Sequence, residues 1–364
     1  ATFAGGAAPV ILTYLAGDDG AGGGNATAMA DLVVNVNAID DSLIEGPEKV
    51  DITINNPSSS TGADVRLLGD DGTGTVVSAI TVTTEITDNE FAEWNLAQAT
   101  SPVAEGGSVN YTFSLGGSGV GGTPYLFQAG ETAVVDVQVT DVSTVYGVDY
   151  DNAVTAMMTA VANWNTANGP TGGKLTATFA GGAAPVILTY LAGDDGAGGG
   201  NATAMVDLVV NVNAIDDSLI EGPEKVDITI NNPSSSTGAD VRLLGDDGTG
   251  TVVSAITVTT EITDNEFAEW NLAQATSPVA EGGSVNYTFS LGGSGVGGTP
   301  YLFQAGETAV VEVQVTDVST VYGVDYDNAV TAMMTAVANW NTANGPTGDV
   351  RRGCRTGDID VSSR

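Results

Sequence analysis

The chain alternates apolar and polar residues over short runs. Val109, Tyr111, Phe113 and Leu115 interleave with Ser108, Asn110, Thr112 and Ser114, and Val135, Val137 and Val139 with Asp136, Gln138 and Thr140. Val50, Ile52 and Ile54 alternate with Asp51, Thr53 and Asn55. The same two-residue period runs through Leu32–Val36 and Ile80–Ile86. It gives each segment one apolar and one polar face, as antiparallel strands packed on a shared core require. Gly, Asp, Asn, Ser and Pro separate the runs and supply turn chemistry. About seven such strands per stretch predict an all-β fold, a β-sandwich.

One segment breaks the period. Asp151–Asn168 is rich in Ala and Met, with Val154, Met157, Met158 and Val161 at helical spacing. Asp151 or Asn152 can cap its start and Gly169-Pro170 can stop it, which predicts a short helix inserted between strands. Its Met stripe is expected to pack on the core.

The whole pattern occurs twice. Residues 1–172 reappear as 177–348 with two differences, Ala30 to Val206 and Asp136 to Glu312. Such fidelity is the mark of a tandem array.

Charge changes the picture further. There are 45 acidic residues, nine Lys and Arg, and no His, for a net charge of −36. Phosphate backbones are recognised by clustered Lys and Arg, so nucleic acid is an unsuitable partner. Crowded carboxylates are relieved by bound cations. Without His a Ser–His triad cannot form, and no acid–base pair stands out, so no enzymatic role is expected. The one cysteine, Cys354, excludes a disulfide framework. The sequence holds no run of 18 apolar residues, the length a membrane-spanning helix needs. The tail 349–364 lies outside the repeat and holds Arg351, Arg352, Arg355 and Arg364. It reads as a terminal extension or, more sharply, a basic docking tail for an acidic neighbour.

Several loops carry candidate chemistry. Gly17–Asn25 and Gly69–Gly74 are rich in Gly and Asp but match neither the EF-hand nor the nonapeptide calcium spacing, and read as solvated turns. Asn25-Ala-Thr27 and Asn110-Tyr-Thr112 fit the glycosylation sequon. The strongest motif is Ile39–Glu48, IDDSLIEGPE, repeated at Ile215–Glu224. Its four carboxylates leave a strand end together. A second acidic group, Thr87–Glu90 and its twin Thr263–Glu266, ends the last strand of the pattern. Oxygen ligands without His or Cys suit a hard cation, and flexible coordination favours Ca²⁺ over Mg²⁺.

The order VAEGGS, GVDY, DDSLIEGPE, ITDNE resembles the Calx-β domain, an immunoglobulin-like sandwich of sodium–calcium exchangers and of arrays in bacterial surface proteins. The resemblance implies tandem immunoglobulin-like antiparallel sandwiches, in which the short helix of each unit and the Gly/Asp loops look like insertions. It implies Ca²⁺ ligands at Glu105, Asp149, Asp216, Asp217, Glu221, Glu224, Asp264, Asn265 and Glu266. In the flanking copies the matching positions are Asp40, Asp41, Glu45, Glu48, Asp88 and Glu90, and Glu281 and Asp325. Ser218 stands where the exchanger domains carry a further Asp, and Asn265 sits within the terminal triplet. Fewer ions or weaker binding is therefore expected.

The resemblance also sets a frame. One complete unit spans 91–266, flanked by the second part of a unit at 1–90 and the first part of another at 267–348. The flanks are expected to belong to a longer array, or to complete each other head to tail between molecules, making filaments. The functional expectation is a repeat region of a secreted or cell-surface fibre or adhesin, rigidified by Ca²⁺. Its partners would be neighbouring repeats or other copies, with an adhesive target that the sequence does not name. The alternatives are a calcium-sensing regulatory pair and a glycan- or ice-binding module, the latter motivated by the Thr-rich run Ile80–Thr87.

Overall fold

The computed structural model describes residues 10–17, 29–118, 126–169, 172–181, 184–193, 205–246, 250–294, 302–316 and 320–344. Most of the Gly17–Asn25 loop, the Asn25 sequon and the basic tail lie outside the described residues. In chain order the elements are β1 (Leu43–Ile44), β2 (Glu48–Asn55), β3 (Ala79–Ile86), β4 (Phe91–Gln98), β5 (Val103–Ala104), β6 (Ser108–Ser118), β7 (Leu126–Phe127) and β8 (Thr132–Asp141). The helix α1 (Ala153–Asn168) follows, then β9 (Lys174–Phe179), β10 (Val186–Leu191), β11 (Leu208–Asn213), β12 (Leu219–Ile220), β13 (Glu224–Ser234), β14 (Val241–Leu243) and β15 (Ala255–Thr263). The chain continues through β16 (Phe267–Gln274), β17 (Tyr287–Ser294), β18 (Leu302–Phe303) and α2 (Ala329–Asn344).

Two sheets form the central sandwich, in the orders β5-β15-β13-β8-β10-β9 and β11-β6-β4-β14. All their strands come from Phe91–Thr263. Each sheet interleaves strands from before and after α1; β8, for example, sits between β13 and β10. The alternation is obeyed: Val226, Ile228 and Ile230 of β13 are buried, as are Val109, Tyr111, Phe113 and Leu115 of β6. They join one core with Trp94, Val135, Val137, Leu188 and Tyr190.

The structure departs from the sequence expectation in four ways. The pairings β14–β4, β5–β15, β1–β7 and β12–β18 are parallel, where antiparallel strands were expected throughout. Leu32–Val36 forms no strand, although its twin β11 pairs along β6. Residues 308–316, twins of β8, form none either. Identical alternation produced a strand only where a neighbouring strand supplied hydrogen-bond partners.

The helix is the fourth departure, in its face rather than its existence. Asn152 caps α1 by accepting from the Thr155 N–H at 2.8 Å. The buried side chains are Ala153, Met157, Val161 and Trp164, while Met158 points outward. The Trp164 indole N–H donates to the Val206 carbonyl at 2.8 Å, and the Asn165 amide exchanges two hydrogen bonds with the Leu175 backbone. These polar anchors rotate Trp164 into the core, and the apolar stripe turns with it.

Candidate metal site

The acidic residues meet at one end of the central sandwich because three turns converge there. Glu105 sits in the β5–β6 turn, which Gly106 closes at φ +71°. The Glu105 N–H donates to the Thr263 carbonyl at 3.0 Å, tying that turn to the end of β15. Asp149 belongs to a turn that needs Gly147 at φ +79°. Its carboxylate accepts from the Val145 N–H, and its carbonyl accepts from the Ile215 N–H at 2.9 Å. That last bond fixes the start of the acidic loop. Asp264 then bridges two segments: one oxygen accepts from the Glu221 N–H and the other from the Glu266 N–H, both at 2.7 Å.

Two carboxylate trios result. Oxygens of Glu105, Asp264 and Glu266 lie within 4.8 Å of one another, and so do those of Asp149, Glu221 and Glu224. Burial is deep: Asp149 is 3% exposed, Glu266 8% and Glu224 9%. Glu105 Oε2, Glu221 Oε1 and Glu266 Oε2 are buried with no hydrogen-bond partner. Orphaned charged oxygens of this kind are costly.

The electrostatics show the strain. Burial first, then the charges of Asp264 and Asp217, pushes the Glu105 carboxyl up to about 8. Glu224 rises to about 8 through burial, a hydrogen bond shared with Asp149 and the charges of Asp149, Glu221 and Glu105. The Glu105 contribution joins the two trios electrostatically. Glu221 rises to about 7 through burial and the charges of Asp217, Asp149, Asp264 and Glu307. Glu266 does so through burial, its hydrogen bond with Asp264 and neighbouring carboxylates. The ion pairs of Lys49, Arg66, Lys225 and Arg242 go to Glu85, Asp64, Glu261 and Asp240, none of them in the cluster.

The remaining candidates fall at the margin or outside. Asp217 caps its own loop, accepting from the Leu219 N–H at 2.6 Å, and raises Glu105 and Glu221 by its charge. Asp216 lies on the outer flank, where the Asn265 amide donates to it at 2.7 Å. In the first copy, Asp41 and Asp88 repeat the backbone contacts of Asp217 and Asp264, to Leu43 and Glu45. Asp40 accepts from Asn89, Glu48 is exposed, and burial leads the rise of Glu45 and Glu90 to about 7. In the last copy Glu281 and Asp325 are exposed. Neither flanking copy forms a trio among the described residues.

Other sequence candidates are satisfied within themselves. Asp71 accepts from the Thr73, Gly74 and Thr75 N–H groups, which hold its carboxyl well below the usual range and close the Gly69–Gly74 turn. The Thr-rich strand spends its hydroxyls across the sheet, Thr257 on Thr229 and Thr259 on Asp227. Sequence reasoning missed Glu307, whose charge reaches Glu221 from the segment that follows, as the Glu131 charge reaches Glu45. No local signal marks either residue.

No family model matches the chain, and no curated protein does. Solved structures similar to it are β domains at low identity. The apo form of the Calx CBD1 domain matches at 12% identity and a TM-score of 0.24, covering 49% of this chain and 98% of that one. A cohesin module of a Clostridium perfringens glycoside hydrolase gives 9%, 0.22, 48% and 97%. The collagen-binding domain of a Staphylococcus aureus adhesin gives 8%, 0.19, 46% and 96%. At scores of this size the neighbours assign no function.

Proposed function

We propose that the central sandwich is a Ca²⁺-binding structural module of an extracellular or cell-surface fibre or adhesin, and that the ion stiffens the array. The carrying observation is the set of buried, unpartnered oxygens on Glu105, Glu221 and Glu266 inside an all-carboxylate cluster. A hard, flexibly coordinated divalent cation fits such donors. Glu105, Asp264 and Glu266 would hold it on one side, and Asp149, Glu221 and Glu224 on the other. The ion supplies positive charge where, among the described residues, no Lys or Arg pairs with the cluster. The protein supplies position: Asp264 clamps the acidic loop to the end of β15, and the Asp149 turn fixes the loop's start. Neutralised carboxylates then hold the three turns together, with a structural rather than a catalytic result.

Calorimetric titration of the full chain with CaCl₂, beside thermal melts in EDTA and in excess Ca²⁺, tests the reading. Binding only to the folded state stabilises it by about 2.7 kcal/mol at a free concentration one hundred times Kd. A midpoint indifferent to EDTA sinks the proposal.

A further inference from the structure

The acidic loop has a second face that the cation reading does not use. Between its carboxylates lie Leu43 and Ile44, and in the twin loop Leu219 and Ile220. In both copies these residues leave their own repeat and add, as a short parallel strand, to an edge of the segment that follows. Leu43 and Ile44 register with Leu126 and Phe127, and Leu219 and Ile220 with Leu302 and Phe303. The Leu126 and Gln128 N–H groups donate to the Ser42 and Ile44 carbonyls at 3.4 and 3.1 Å. The Leu302 and Gln304 N–H groups donate to Ser218 and Ile220, both at 3.1 Å. The same contact therefore forms twice, 176 residues apart.

The loop's hydrogen bonding is divided between its two sides. Its donors turn home: the Leu43 N–H goes to Asp41 and the Glu45 N–H to Asp88, as Leu219 goes to Asp217 and Glu221 to Asp264. Its acceptors turn outward to the next segment. A strand oriented this way presents a one-sided edge, and parallel addition uses that side.

Packing completes the contact. Ile44 is 0% exposed and belongs to the core of the central sandwich. Its register partner Phe127 meets Tyr190 edge-on at 5.8 Å, and Tyr190 meets Trp164 at 6.3 Å. The isoleucine thus closes a line of aromatics that runs to α1. The Gln128 amide donates to Glu45 at 2.7 Å. Gly46 and Pro47 lie against Thr237 and Gly238: a Cβ on Gly46 would meet the Thr237 carbonyl oxygen at 2.4 Å. A Cβ on Gly238, at φ +101°, would meet Pro47 Cδ at 2.9 Å.

We propose that Ser42–Pro47 and its twin Ser218–Pro223 are docking tongues whose partner is the segment that follows in the chain, the central sandwich being completed by Ile44 from the preceding repeat. Glu90 runs directly into Phe91 of the next strand, so the tongue makes a second attachment beside the covalent one. Two attachments restrain rotation at each joint and couple the stability of neighbouring repeats.

Hydrogen exchange of the full chain, followed by mass spectrometry in EDTA, tests this apart from any cation. The edge peptides holding Leu126–Gln128 and Leu302–Gln304 are identical in sequence and are read together. Replacing both plugs, Ile44→Ser with Ile220→Ser, is expected to speed exchange of these amides about ten- to a hundredfold while β13 and β15 stay protected. Unchanged exchange in that variant overturns the proposal. Should β13 and β15 lose protection too, Gly46→Val decides, because a Cβ there would press on the Thr237 backbone of the following sandwich. Fast exchange in half of the edge-peptide population supports the tongue, and full protection overturns it.

Discussion

Residues 48–55 and 224–231 have the same sequence, EKVDITIN, and both are strands, yet only one is part of a core. In β13, Ile230 is fully buried between β15 and β8; in β2 its twin Ile54 is 51% exposed. Among the described residues β2 pairs with β3 alone. Trp94 is buried in the four-stranded sheet, while its twin Trp270 sits in a two-stranded sheet at 36% exposure. The helices agree: α1 buries four side chains and α2 none. Local sequence supplies the period and with it the candidate apolar face. Burial depends on which strands arrive from elsewhere in the chain.

The largest test of that difference is at the tryptophans. Trp94→Ala should cost about 3–5 kcal/mol in urea unfolding, because it empties a fully buried site. Trp270→Ala should cost less than about 1 kcal/mol. Comparable losses would mean that the last segment has a core of its own. A smaller gap is expected within α1. Met157→Ala should cost about 2–5 kcal/mol, whereas its exposed neighbour Met158→Ala should stay within about 0.5 kcal/mol. Equal costs would restore the symmetric Met stripe that the periodicity predicts.

The two copies of the acidic loop can be separated in the same way. Glu266→Gln removes an oxygen of a formed trio, and its twin Glu90→Gln does not. Calorimetry should show Ca²⁺ affinity falling at least about tenfold in the first, as loss of a ligand exceeds loss of an outer-shell partner, with little change in the second. Equal effects would place an ion site in the first copy as well.

The gentlest test is pH. Folded Glu105 and Glu224 titrate near 8, and Glu221 and Glu266 near 7, against an ordinary value of 4.5. Between about pH 8 and 5 the folded chain therefore holds protons that the unfolded chain releases. In EDTA the melting midpoint should rise as pH falls from 8.5 to 5.5. In excess Ca²⁺ the trend should flatten or reverse, since protons compete with the ion for the same oxygens. A midpoint that falls on acidification in EDTA would mean these carboxylates are ionised and comfortable in the fold.

Much of the site was legible as chemistry but not as geometry. Four-carboxylate loops and the terminal acidic group are visible in the sequence. Which oxygens converge is not. Glu105, Asp149, Glu221, Glu224, Asp264 and Glu266 are brought together by the Glu105–Thr263 and Asp149–Ile215 backbone bonds, which span long separations. Asp216 shares the loop and the charge yet faces outward to Asn265. Nothing in the loop's own sequence marks Ile44 as core for another segment.

By itself the sequence determined the strand periods, the turns, the helix, the acidity and the repeat, because each follows from residues within a few positions of one another. Tertiary structure alone decided which copy buries its strands, which face of α1 turns inward, which carboxylates meet, and that a loop docks on the next sandwich. A strand's period fixes its two faces but leaves its edge groups unpaired. The partner that satisfies them is chosen by the rest of the chain.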